Sequence, residues 1–260
     1  MYRNKSYLLS FLLILISIIT LSCSSKVAFQ SLDTPDGINY QTLTGYLIKP
    51  EGEGPFPAIV MLHHCSGLDN EGFFRWARQL KKLGYVAFLV DSFGPRGITN
   101  VCDNGWPTIR YRARDAHAAK LYLSSLPFVD PERIAVMGWS HGAWGSILAI
   151  QDPEHKFPGK SFKAAVAYYP YCRGLYYLNA PLLILIGEKD DCTSAERCQN
   201  LLPNDSPYDV ILKIYPETHH GFFFPVKSHF NYGHRIEYNS SATRDAKERT
   251  IQFLDKHLKK

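Results

Sequence analysis

Five short, almost wholly apolar runs, at residues 58–62, 85–90, 133–137, 164–168 and 181–186, recur along the chain with amphipathic stretches between them. A strand that is apolar at every position is buried on both faces, because a half-exposed strand alternates apolar with polar residues. Helical spacing fills the intervals at 73–83, closed by Gly84, and at 110–126, 141–150, 194–202 and 242–258; further strands are expected at 40–48 and 210–215. Strands alternating with amphipathic helices form a mostly parallel central sheet with helices on both faces, so the fold class is α/β. At 260 residues and 45% hydrophobic content the chain suffices for one large domain, placed at residues 38–260, and it shows no internal repeat. Ligands of such sheets sit beyond the carboxyl ends of the strands, which directs attention to the residues just after each run.

The run at 133–137 leads into Gly138-Trp-Ser140-His-Gly142 and then a helical stretch. A serine between strand and helix reads in two ways. It is an N-cap whose hydroxyl accepts a first-turn N–H, or it is a nucleophile in a Gly-x-Ser-x-Gly turn so tight that the flanking glycines leave no room for side chains. The other strand ends decide between them. They carry His63-His64-Cys65, Asp91 to Gly97 with Arg96, Gly187-Glu-Lys-Asp190-Asp191, and His219-His220-Gly221. A serine hydroxyl becomes a good nucleophile when an imidazole takes its proton, and the imidazole needs a carboxylate to fix its tautomer. Ser140, an aspartate and a histidine occur here in that chain order, each after an expected strand.

The acid is expected at Asp190, three residues past Gly187, with Asp191 as the alternative; the base is expected at His220, with His219 turned to solvent or a neighbouring loop. Two main-chain N–H groups, of Cys65 and of His141, are the expected oxyanion donors, which leaves the Cys65 thiol a structural part. Arg96 is a candidate contact for a substrate carboxylate, the other reading being that it tethers its own loop. Trp139, Trp144, Trp106 and Tyr171 are candidate pocket walls or core residues. The His and Cys clusters lack paired zinc spacings, so no metal is expected, and acyl transfer on this set needs no cofactor.

The stretches Met61 to Gly67, Val90 to Gly97, Gly138 to Gly142, Leu185 to Asp191 and His219 to Phe222 together resemble the dienelactone hydrolase family over nearly the whole mature length. The resemblance implies the α/β-hydrolase fold and a small-molecule ester or lactone substrate, with Ser140 as nucleophile, Asp190 as acid and His220 as base. Three positions depart from the family pattern. Serine replaces the founding members' cysteine nucleophile, His63-His64 stands where His-Gly is usual, and Ser194 stands where a proline often follows the acid. A peptidase or acyltransferase on the same three residues, and a binding protein that keeps the fold without turnover, are the rival functions.

The N-terminus is short and basic, followed at 8–21 by an apolar run too short to span a bilayer comfortably but suited to an export signal. Thr20-Leu-Ser-Cys23 resembles a bacterial lipobox, so residues 1–22 are expected to be a signal peptide, Cys23 a lipidated anchor in the cell envelope, and 23–37 a tether; the alternative is an ordinary signal cut nearby. Loss of Arg3 and Lys5 leaves 27 basic against 24 acidic residues with no basic run, which argues against nucleic acid as a partner. Export would permit disulfides among Cys65, Cys102, Cys172, Cys192 and Cys198. At most two can form, and nearness favours Cys192 with Cys198.

Overall fold

The computed structural model describes residues 24–32, 41–68, 71–104, 106–151, 161–173, 177–203 and 205–259. Eight strands form one sheet: β1 (Ser25–Gln30), β2 (Thr42–Ile48), β3 (Phe56–Leu62), β4 (Val86–Asp91), β5 (Val129–Trp139), β6 (Ala165–Tyr168), β7 (Leu182–Gly187) and β8 (Val210–Tyr215). Their spatial order is β1-β2-β4-β3-β5-β6-β7-β8. Neighbours from β4 to β8 pair in parallel, while β2 is antiparallel to β4 and β1 antiparallel to β2.

Among the described residues five α-helices accompany the sheet: α1 (Glu71–Lys82), α2 (Trp106–Ser124), α3 (His141–Ala149), α4 (Ala195–Asn200) and α5 (Ser240–Leu258). Register shows which face each covers. Leu89, Met61 and Met137 stand side by side across β4, β3 and β5, and Trp76 of α1 donates its indole N–H to the Met137 sulfur. Phe88, one residue from Leu89 and so on the other face, packs its ring against Tyr122 of α2. Trp139 and Tyr168 lie on the α1 face, where the Tyr168 hydroxyl reaches Thr250 of α5 at 2.6 Å. The parallel strands are therefore covered on both sides, and every residue of β7 is buried, as their unbroken apolar runs require.

One assignment needs correction, and one element is unexpected. Ser25–Gln30, part of the expected tether, is an edge strand paired along its length with β2. Its sequence SKVAFQ buries one side chain, Phe29, against Phe88 and Tyr122 and half-buries Val27, too little for a strand signature in sequence. The sheet also acquires a companion: β9 (His229–Asn231) and β10 (His234–Ile236) form a short hairpin after His220, exposed enough to carry no apolar pattern. The expected signal segment, Cys23 and residues 33–40 lie outside the described residues. Among the described residues no helix is long and apolar enough to cross a membrane.

Candidate active site

Ser140 sits between the end of β5 and the first turn of α3 with φ 52° and ψ −115°. A positive φ on a residue that carries a Cβ is strained and persists only where surroundings enforce it. Here they do: its N–H donates to the Tyr168 carbonyl at 2.9 Å, and its own carbonyl accepts the Trp144 N–H at 3.0 Å. The flanking glycines are sterically required. A Cβ on Gly138 would lie 2.2 Å from the Gly142 carbonyl oxygen, and one on Gly142 would lie 2.2 Å from the Leu62 oxygen. The Ser140 side chain caps no helix N–H, which removes the N-cap reading, and its hydroxyl is aimed at His220 instead.

The Oγ–H of Ser140 donates to Nε2 of His220 at 3.0 Å, and Nδ1–H of His220 donates to Oδ2 of Asp190 at 2.8 Å. All three are buried, at 9%, 6% and 6% exposure. The other carboxylate oxygen of Asp190 accepts the N–H groups of Cys192 at 3.0 Å and Thr193 at 2.7 Å, which fixes the carboxylate plane. Thr193 Oγ1, bridging towards the Tyr169 carbonyl, stands 3.0 Å from Oδ2. Asp191 points away to the β9–β10 hairpin, where it accepts the Arg235 N–H at 3.2 Å. His219 donates to the Lys189 carbonyl of the neighbouring loop. The geometry thus joins His220 to Asp190 and leaves Asp191 and His219 outside.

Membership of a known group is evident from the same chain. The dienelactone hydrolase family model matches residues 43–258, which include all of these elements. The chain belongs to the dienelactone hydrolase family. It is 23% identical over 237 residues to a Synechocystis protein named, by inference, carboxymethylenebutenolidase, covering 84% of this chain and 93% of that one. A Bradyrhizobium protein, likewise named by inference as 2-oxo-3-(5-oxofuran-2-ylidene)propanoate lactonase, is 24% identical over 247 residues, with 85% and 92% covered. Among solved structures, a dienelactone hydrolase-like promiscuous phosphotriesterase from metagenomic libraries superposes with a TM-score of 0.70 at 19% identity, covering 90% of this chain and 98% of its own. Its likeness establishes the shared fold. Family membership makes this chain a hydrolase acting on ester bonds.

Other candidate residues fall differently. The Cys65 N–H lies on the loop after β3 and the His141 N–H heads α3, so both expected oxyanion donors are at the same end of the sheet as Ser140. Cys65 is bonded to Cys102, and its thiol is accordingly structural. The second disulfide is Cys172–Cys198, and Cys192 is free, contrary to the pairing that nearness suggested. The turn of α4 carries Cys198 inward to buried Cys172, whereas Cys192 belongs to the Asp190 loop; burial and the Asp190 and Asp191 charges push its thiol up to about 12. Ser194, at the position where a proline is frequent, instead caps α4 by accepting the Arg197 N–H.

Arg96 has the contacts of a loop tether. Its guanidinium forks onto Asp115 of α2 at 2.7 and 2.8 Å and donates to the Ser92 carbonyl at 2.6 Å, so Nη1 and Nη2 tie its loop to α2. Trp139 is no pocket wall, being fully buried on the α1 face and stacked on Tyr168. Trp144 and Tyr171 do pack together beyond Ser140, with centroids 5.1 Å apart and Tyr171 held by Arg197. The Trp106 side chain is outside the described residues. Among the described residues no His, Cys, Asp and Glu side chains group as a metal site.

His64 stands where the family usually has glycine. Its Nδ1 accepts the Ser66 N–H at 3.2 Å, and its ring meets Phe73. Burial first, then the positive charges it would face on His220 and Arg112, lower its pKa to about 4, so it is neutral at physiological pH and does not add charge beside His220. Sequence reasoning missed Thr193 and Tyr169, whose ring packs edge-on against His220 at 4.7 Å. The Asp-x-x-Thr spacing at 190–193, suited to a side-chain turn, was the available signal for Thr193.

Proposed function

We propose that the protein hydrolyses carboxylic esters or lactones through an acyl-enzyme on Ser140. His220 Nε2 takes the hydroxyl proton as Oγ attacks the carbonyl carbon, then returns it to the leaving alkoxide; the leaving group of a lactone stays attached to the acyl chain. Water, deprotonated by the same imidazole, attacks the acyl-enzyme and releases the carboxylic acid and free Ser140. Asp190 holds His220 in the Nδ1–H tautomer and stabilises its positive charge. The N–H groups of Cys65 and His141 are assigned to the oxyanion.

The observation that carries this reading is the continuous hydrogen-bonded line Ser140–His220–Asp190 at 3.0 and 2.8 Å, built on a strained serine. Family membership and relatives named as a butenolidase and a lactonase support ester or lactone substrates over amides. The lipobox-like Cys23 supports an exported, envelope-anchored enzyme. The test is steady-state hydrolysis of p-nitrophenyl acetate and butyrate and of a simple aryl lactone by the chain from residue 24. Turnover is expected, reduced by about four to six orders of magnitude in Ser140→Ala. Equal turnover in the two proteins would reject the assignment.

A further inference from the structure

We propose that buried Arg112 and His63 form a positioning pair that aims the Cys65 N–H at the reacting carbonyl, an inference that rests on the oxyanion assignment above. The starting point is a guanidinium with no solvent exposure, on α2 beneath the loop after β3. Burying a cation costs several kcal/mol unless its donors are used well. Asp115, one of the two carboxylates whose charge Arg112 feels, is occupied bidentately by Arg96. Arg112 turns both terminal nitrogens to one residue instead, while its Nε has no partner among the described residues: Nη2 donates to the His63 carbonyl at 2.6 Å and Nη1 to His63 Nε2 at 2.9 Å. Phe93 covers both groups, with its ring 5.1 Å from the guanidinium and 4.5 Å from the imidazole. Room for Arg112 comes from Gly145 of α3, where a Cβ would lie 2.6 Å from the Arg112 Cβ.

The consequence for His63 is a fixed tautomer. Nε2 accepts from Arg112 and from the Ser92 N–H at 3.3 Å, so the proton resides on Nδ1, which donates to the His64 carbonyl at 2.7 Å. That carbonyl shares a planar peptide unit with the Cys65 N–H, and in a trans peptide the two bonds point in opposite directions. Holding the carbonyl down onto His63 therefore turns the N–H out towards the strand end where Ser140 lies. The far side of Cys65 is pinned independently, its carbonyl by the Val101 N–H at 3.0 Å and its sulfur by Cys102. Among the described residues the Cys65 N–H is given to no acceptor, as a donor kept for a ligand would be.

A positioning role differs from mere packing in what it changes. It acts on the transition state, in which the oxyanion exists, and leaves substrate binding alone. Arg112→Met removes both donors at similar length and is expected to lower kcat by about 100- to 1000-fold, the cost typical of losing one oxyanion donor, with KM within about threefold. Affinity for a phenylboronic acid, whose Ser140 adduct is tetrahedral, is expected to fall in parallel with kcat.

His63→Asn, whose amide N–H can replace Nδ1–H, is expected to retain kcat to within about tenfold, while His63→Leu loses as much as Arg112→Met. These two variants decide the matter if Arg112→Met does not fold. Folded Arg112→Met with unchanged kcat and boronate affinity, or Asn no better than Leu at position 63, would overturn the pair. Wild-type turnover, measured first, separates that outcome from failure of the serine hydrolase reading, which would leave the wild type inactive.

Discussion

Replacing Gly138 by alanine tests the elbow that holds Ser140, the proposed nucleophile. The added Cβ would lie 2.2 Å from the Gly142 oxygen, 2.3 Å from its carbonyl carbon and 2.7 Å from the Ala143 nitrogen. All three are main-chain atoms of the first turn of α3, so no rotamer change relieves the clash. Overpacking against movable side chains typically costs about 1–3 kcal/mol, and here the upper end is a lower bound because the start of α3 must shift bodily. For a domain of this size about 3 kcal/mol lowers Tm by roughly 6–12 °C. A shift approaching 1 Å between Ser140 Oγ and His220 Nε2 is expected to cost about 100-fold in kcat on top of that. Gly84→Ala is the control, since its φ of +86° carries conformational strain but nothing lies within 4 Å of its Cβ. It should lose about 1 kcal/mol and keep full activity. Thermal melts and p-nitrophenyl acetate turnover of both variants read the difference. If Gly138→Ala melts within about 2 °C of the wild type and turns over normally, the elbow is looser than these contacts require.

Further outcomes rest on the same geometry. Asp190→Asn should reduce kcat by about three to four orders of magnitude, because the amide favours the wrong His220 tautomer, whereas Asp191→Asn, which touches only the hairpin, should stay within about threefold; parallel kinetics of the two decide which is the acid. Arg96→Gln should lower stability by breaking the fork onto buried Asp115 while leaving KM for carboxylate-bearing esters within about twofold, and a selective rise in that KM would restore Arg96 as a substrate contact. Stability should fall as pH drops from 6.5 towards 4. His64 binds its proton near 6.5 when unfolded and only near 4 when folded, so the unfolded state gains protons first in that window, worth about 3 kcal/mol at full extent. His63, held well below its ordinary value by burial and Arg112, extends the loss to lower pH. Urea midpoints at pH 7, 5.5 and 4.5 give the slope, which His64→Gln should flatten; a midpoint that rises on acidification contradicts the assignment.

The sheet and the three aligned side chains were legible because each depends on local pattern. Runs such as 182–186 are apolar at every position only if both faces are covered; Ser140 and Asp190 come after such runs, and His220 after the expected strand at 210–215. What escaped depends on partners distant in sequence. Arg96 has two readings in sequence, substrate contact or loop tether, until α2 brings Asp115 beside it, and Trp139 is pocket wall or core until strand alternation turns it towards α1. Cys198 lies six residues from Cys192 but finds Cys172, because α4 rotates it inward. The edge strand β1 takes its stability from hydrogen bonds to β2 more than from apolar side chains, and main-chain pairing leaves little trace in composition. His63 and Arg112, 49 positions apart, carry no joint signal in a single sequence.

The central claim, that Ser140 is an activated nucleophile, is tested most directly by intact mass of the chain from residue 24 after exposure to a fluorophosphonate probe, beside Ser140→Ala. The account predicts one added phosphonyl group on the wild type, mapped by peptide digestion to the 134–145 stretch, and none on the variant. Labelling of Ser140→Ala to the same extent, or an unlabelled wild type that still hydrolyses esters, would contradict it.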